Sequence, residues 1–157
     1  MIGRAMNGGS VKNTVFVFAM TAGYNAGAIA CWTPSAVSVD NVFVSASINS
    51  PNGGALFGRS TSCGAIKNTV IHVNCTGGWN NGAISGWKVS ASVTENVYVI
   101  FEGSIEKIYG NSTEAEEGVT TMKKEEVASN AFTGLDAKYW NVAEGEMPVF
   151  NSMADIV

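Results

Sequence analysis

Four asparagines, Asn13, Asn41, Asn68 and Asn96, recur at spacings of 28, 27 and 28, and this period constrains the fold more than any other feature of the chain. Ten residues before each stand Gly3, Cys31, Gly58 and Gly86. Gly27, Gly54 and Gly82 follow the first three asparagines after thirteen or fourteen residues, so the one-residue slippage lies in between. A second period of 55 is superimposed. Gly3-Arg4 returns as Gly58-Arg59, Lys12-Asn13-Thr14-Val15 as Lys67-Asn68-Thr69-Val70, and Trp32 as Trp87. The unit is therefore a duplicated pair. Such a period, in segments rich in Val, Ile and Phe and without helical periodicity, predicts an all-β fold. The expected form is a β-solenoid (β-helix) of about four 27–28-residue coils stacked about 4.8 Å apart.

After each asparagine, apolar residues alternate: Thr14, Phe16, Phe18 and Met20 in the first coil, Val42, Val44, Ala46 and Ile48 in the second. One face of each strand therefore points into a shared interior. Glycines are expected at bends, where left-handed backbone or close backbone approach is required. Stacking also turns repeated positions into columns. The asparagine amides can donate and accept along the stack. The residue before each asparagine reads Lys12, Asp40, Lys67, Glu95, an alternating charge ladder. Another column reads Arg4, Trp32, Arg59, Trp87, alternating cation and aromatic ring. Outward columns are apolar (Val15, Phe43, Val70, Tyr98, then Val17, Ser45, His72, Ile100) and call for cover by the tail or by a partner.

Charge divides the chain. Residues 1–94 hold one acid, Asp40, and five bases; residues 95–157 hold twelve acids and four lysines. The array is assigned to residues 1–110, and 111–157 to an acidic linker and capping segment. Within the latter, 121–132 reads as an amphipathic helix with Thr120 or Thr121 as its N-cap and Met122, Val127 and Phe132 as buried contacts. Tyr139 to Val142 and Pro148 to Phe150 read as a hairpin around Glu144-Gly145-Glu146. A helix-plus-hairpin cap would cover the last unpaired sheet edge.

Gly53-Gly54-Ala55-Leu56-Phe57-Gly58, followed by Cys63-Gly64-Ala65-Ile66-Lys67-Asn68, resembles the GLUG repeat of bacterial surface and secreted proteins. The tail, from Phe132, Gly134, Asp136 and Trp140 to Pro148-Val149-Phe150, is similar to the segment that closes such arrays. The resemblance implies a right-handed β-helix, an extracellular or cell-surface setting and an adhesin-type role. It carries over no catalytic residues. Ile2-Gly3-Arg4 matches the end of a Phe57-Gly58-Arg59 segment, so a fragment of a longer repeat protein is expected.

The chemistry of the array argues for binding over catalysis. Glycoside hydrolysis needs two carboxylates about 5–10 Å apart. Asp40 and Glu95 lie two coils apart, with Lys67 between them, and the charge ladder already accounts for all three. A polysaccharide-active β-helix enzyme and a phage or surface fibre component are the alternatives. Residues 1–94 lack the clustered acids of a calcium site. Cys31, Cys63 and Cys75 form no C-x-x-C pair and read as buried small hydrophobes. His72 reads as a surface or tail-packed side chain without a Ser or Cys partner. No catalytic residue, metal site or cofactor is assigned. Basic residues alternate with acids or Trp, which disfavours nucleic acid, and no apolar run reaches the length of a membrane helix. Tyr24 and Trp79, 55 residues apart, occupy equivalent loops and would lie about 10 Å apart along the stack, a disaccharide's length. With Trp32 and Trp87 they are the candidate ligand-binding residues, for a cell-surface glycan or a host protein.

Overall fold

The computed structural model describes residues 2–4, 7–21, 23–33, 35–60, 63–87 and 91–151. The fold is all-β, and its two larger sheets are entirely parallel. The chain runs through β1 (Ile2–Arg4), β2 (Gly9–Thr21), β3 (Ala30–Thr33), β4 (Val37–Asn49), β5 (Phe57–Ser60), β6 (Cys63–Gly77), β7 (Ala91–Phe101) and β8 (Val119–Lys123). A 3₁₀ helix (Lys124–Ser129) and the short strands β9 (Trp140–Asn141) and β10 (Val149–Phe150) follow. One sheet has the order β1-β3-β5, the other β2-β4-β6-β7-β8. The first six strands thus alternate between sheets, and each parallel neighbour from β1 to β7 is one sequence repeat away.

The register reproduces the repeat. Thr14 faces Val42, Val42 faces Thr69 and Thr69 faces Val97. A third strip, without long strands, links the sheets. Its backbone bonds run Ala28 to Ala55, Ala55 to Ala83 and Ala83 to Lys107. The apolar alternation fills the space enclosed by these elements: Val42, Val44, Ile48, Leu56, Phe57, Ile66, Ile71, Ile84, Val97 and Val99 are fully buried.

Asparagine shares the left-handed positions with glycine and holds those that recur with the repeat. Among the described residues the non-glycine residues with positive φ are Asn13, Asn25, Asn41, Asn52, Asn68, Asn80 and Asn96, at 47° to 55°. Asparagine tolerates this region because its short amide bonds locally. Gly27 and Gly82 serve the other purpose. A Cβ on either would stand 2.6 Å from a neighbouring backbone nitrogen, that of Gly58 or Gly110.

The C-terminal segment departs from the sequence expectation. No α-helix forms over 121–132. Residues 119–123 instead make β8, which pairs in parallel with β7 (Val97 with Val119, Ile100 with Met122). The fifth strand of the large sheet therefore comes from beyond residue 110. Gly118, at φ 74°, precedes it where the other repeats carry asparagine. Val-Thr-Thr is β-branched and favours a strand. Met122, Val127 and Phe132 are spaced by five, which does not place them on one helical face. The helical remnant is the 3₁₀ turn, which buries Val127 alone and is held at its start by Lys123 N–H donating to Glu126 Oε2 at 2.8 Å.

The hairpin forms as an antiparallel pairing of Trp140 with Phe150. Together with Val127, Phe132 and Met122, Trp140 covers Phe43, Val70, Tyr98 and Ile100 on the outer sheet face. Trp140 is 1% exposed and meets Phe43 and Phe150 edge-on at 6.5 and 5.2 Å. The tail thus covers most of the outward apolar columns, while Val15 and Val17 stay exposed.

Candidate functional site

The predicted columns supply the geometry around the candidate residues. Lys12 lies 4.0 Å from Asp40, and Lys67 donates to Glu95 at 2.6 Å. Glu95 holds the Lys67 ammonium above its ordinary pKa. The asparagine column is broken at Asn41. Asn96 donates to Asn68 at 3.0 Å, but Asn68 donates to Asp40 Oδ1 at 3.0 Å, not to Asn41. A second asparagine column, at 25, 52 and 80, carries Asn80 Nδ2 donating to Asn52 Oδ1 at 3.1 Å. The repeated Asn-x-Gly at 25–27, 52–54 and 80–82 is its sequence signal.

Tyr24 and Trp79 stand just before Asn25 and Asn80 in this second column. Their loops are tied through the intervening repeat: Asn25 N–H donates to the Pro51 carbonyl at 3.0 Å and Asn52 N–H to the Trp79 carbonyl at 2.8 Å. The rings do not stand about 10 Å apart. Their centroids are 5.8 Å apart, with planes inclined at 71°. Pro51 and Asn52 put no aromatic ring between them, so the two side chains lean together into an edge-to-face pair. The pair is exposed, Tyr24 to 54% and Trp79 to 55%, and forms one continuous apolar ridge.

Trp32 and Trp87 are placed differently. Both are half-buried. Trp87 Nε1 donates to Asn52 Oδ1 at 2.8 Å, and the Arg59 guanidinium lies 5.1 Å over its ring. Trp32 is in register with Arg4 and Arg59, the side chain of Arg4 lying outside the described residues. Asn52 Oδ1 also accepts from Asn80 Nδ2, so Trp87 is bonded into the second asparagine column.

His72 has partners that the sequence reading did not assign. Ser45 Oγ lies 3.3 Å from its Nδ1, and Glu102 Oε2 lies 3.0 Å from its Nε2. Lys124 closes the chain at 2.6 Å from Glu102 Oε1. The signal was the column Ser45, His72, which faces neighbours directly across the sheet. Hydroxyl, imidazole and carboxylate are thus adjacent. Backbone amides of β4, β6 and β7 around His72 serve the parallel ladder. The group works as a clasp between the sheet and the tail.

The thiols of Cys63 and Cys75 are pushed up by burial to about 11 and about 12, which suits inert core residues. Among the described residues no three His, Cys, Asp or Glu side chains gather to hold a metal. None of the helices there is long and apolar enough to cross a membrane. A cleft of about 380 Å³ opens at the β8 end over Phe101, Ile108 and Val119, with the Lys123–Glu106 ion pair at its rim. Comparison of the chain with family models, with curated proteins and with solved structures finds no match.

Proposed function

We propose that this chain is a right-handed β-solenoid module of the GLUG-repeat kind. In this reading it acts without catalysis as an adhesin-type element, at a bacterial surface or in secretion, and holds a glycan against Tyr24 and Trp79. Alternation of the first six strands between two parallel sheets, one repeat at a time, supports the solenoid reading. Engagement of Asp40 by Lys12 and Asn68, and of Glu95 by Lys67, supports a non-enzymatic role.

The exposed Tyr24–Trp79 pair carries the reading. A sugar's C–H face stacks on such rings, while its hydroxyls need polar neighbours at the edge. Rings 5.8 Å apart make a single platform, so one sugar residue, rather than a disaccharide bridging two separate rings, is the unit bound. Screening against a glycan array, followed by titration of the best ligand, is the test. Trp79→Ala should weaken binding by about tenfold or more, the scale of losing one aromatic stacking contact. Trp79 is exposed, so circular dichroism should show an unchanged fold. Unaltered binding by the variant would overturn the proposal.

A further inference from the structure

Beside the exposed Tyr24–Trp79 pair, one repeat differs from its two neighbours. The flanking repeats carry aromatic residues at two equivalent positions, Tyr24 and Trp32 in one, Trp79 and Trp87 in the other. The repeat between them carries Pro51 and Arg59 there. Arg59 is in register with Trp32, and its guanidinium carbon stands 5.1 Å from the centre of the Trp87 ring. That ring is itself fixed, since Trp87 Nε1 donates to Asn52 Oδ1 at 2.8 Å.

Close backbone approach brings the arginine column to the ridge. A Cβ on Gly58, the residue before Arg59, would stand 2.5 Å from the carbonyl carbon of Asn25, the residue after Tyr24. A Cβ on Gly86, the residue before Trp87, would stand 2.5 Å from the carbonyl carbon of Asn52. Asn52 N–H in turn donates to the Trp79 carbonyl at 2.8 Å. The cation therefore emerges next to the loops that carry the two exposed rings.

Its charge is unanswered. Lys12, Lys67, Lys123 and Lys124 each have a carboxylate partner. Arg59 is exposed, and among the described residues no carboxylate pairs with it and its guanidinium donates no hydrogen bond. The single acid of residues 1–94, Asp40, lies in the other sheet and is engaged by Lys12 and Asn68. A guanidinium carries five donors, and a two-oxygen anion satisfies them better than a neutral hydroxyl does.

We infer that the glycan held on Tyr24 and Trp79 is acidic, and that Arg59 takes its carboxylate or sulfate group. The inference rests on the ridge being the glycan platform proposed above. The rings supply the stacking surface, and the arginine selects charged sugars over neutral ones.

Titration calorimetry of the full chain with three probes tests this: oligogalacturonate, the same oligomer fully methyl-esterified, and a sulfated galactan oligomer. Esterification removes the charge and keeps the sugar backbone. At least one acidic probe should bind about three- to tenfold more tightly than the ester, the range for one exposed charge-assisted contact. Comparison of the two acidic probes tells carboxylate from sulfate. Arg59→Gln should abolish the preference and leave affinity for the ester unchanged, and Arg59→Lys should keep part of it. In the wild type, raising the salt to about 1 M should shrink the preference, because the contact is exposed. Equal affinity for the ester and both acidic probes, a preference that survives Arg59→Gln, or one indifferent to salt would overturn this inference alone. Unchanged affinity of Trp79→Ala for every probe would overturn the platform reading, and the inference with it.

Discussion

Asn96 Nδ2 donates to Asn68 Oδ1 at 3.0 Å while both residues hold left-handed backbone, at φ 52° and 47°. One amide thus meets two demands, a tolerable positive φ and a bond to the next strand. Asn96 also reaches the Gly134 carbonyl at 3.2 Å, which ties the column to the tail.

The two demands separate by substitution. Asn68→Gly keeps the backbone conformation and loses the bonds to Asn96 and Asp40, at a cost of about 1–2 kcal/mol. Asn68→Ala loses the same bonds and adds about 1–2 kcal/mol of left-handed strain. Denaturant titration should therefore rank the wild type above the glycine variant, and that above alanine. Equal stability of the two variants would show that φ contributes nothing.

Trp140 is the keystone of the outer cluster, packed on Phe43 and Phe150. Trp140→Ala should cost about 3–5 kcal/mol, the range for deleting a large buried aromatic side chain. Loosening the tail would also expose Phe43, Val70, Tyr98 and Ile100, so binding of an apolar dye should rise. Tyr98→Phe removes the hydroxyl that donates to the Thr133 carbonyl and should cost about 1 kcal/mol, without dye binding.

The cysteines differ in access. Cys63 and Cys75 are buried, with thiols raised to about 11 and about 12, and Cys31 is half-exposed. At pH 8 a thiol reagent should modify Cys31 first, and react with all three once the chain is unfolded. Fast labelling of Cys75 in the native protein would contradict the packing described.

Acid should weaken the clasp at Glu102. Lys124 beside it, and the nearby His72, hold this carboxyl below its ordinary value of 4.5. The folded state then binds fewer protons at this group than the unfolded state, and stability rises with pH across the window. The contribution is present above about 4.5 and is lost as pH falls through the lowered folded value. The Glu102 side chain is 41% exposed, so the effect is small and salt-sensitive. A Glu102→Gln variant should show a shallower loss of stability between pH 5 and 3 than the wild type.

The array was legible because its period is written in residue identity. The charge column, the Arg–Trp column and the inward alternation all follow from counting 27 or 28. The conformation at each column was less legible. Glycine is the usual residue at positive φ, but here a repeated asparagine holds it and also bonds along the stack. The tail misled for a different reason. Lys, Glu and Ala between 123 and 131 favour helix locally, yet residues 119–123 pair with the edge of β7 instead. Tyr24 and Trp79 fall on loops tied through one repeat, as their 55-residue spacing implies, but their rings stand 5.8 Å apart and not about 10 Å, since strand separation sets Cα distances while a ring swings several ångströms from its backbone. His72 shows the same gap: the column placed Ser45 beside it, whereas Glu102 and Lys124 came together only through the fold of the tail.

The alternation Lys12, Asp40, Lys67, Glu95 has a consequence for how such an array changes length. Excising a single repeat brings lysine against lysine or acid against acid; excising two leaves every junction matched. Loss or gain by the 55-residue pair thus preserves the alternation, whereas removal of one inner repeat sets like charges side by side, at the cost of about 0–1 kcal/mol per exposed pair.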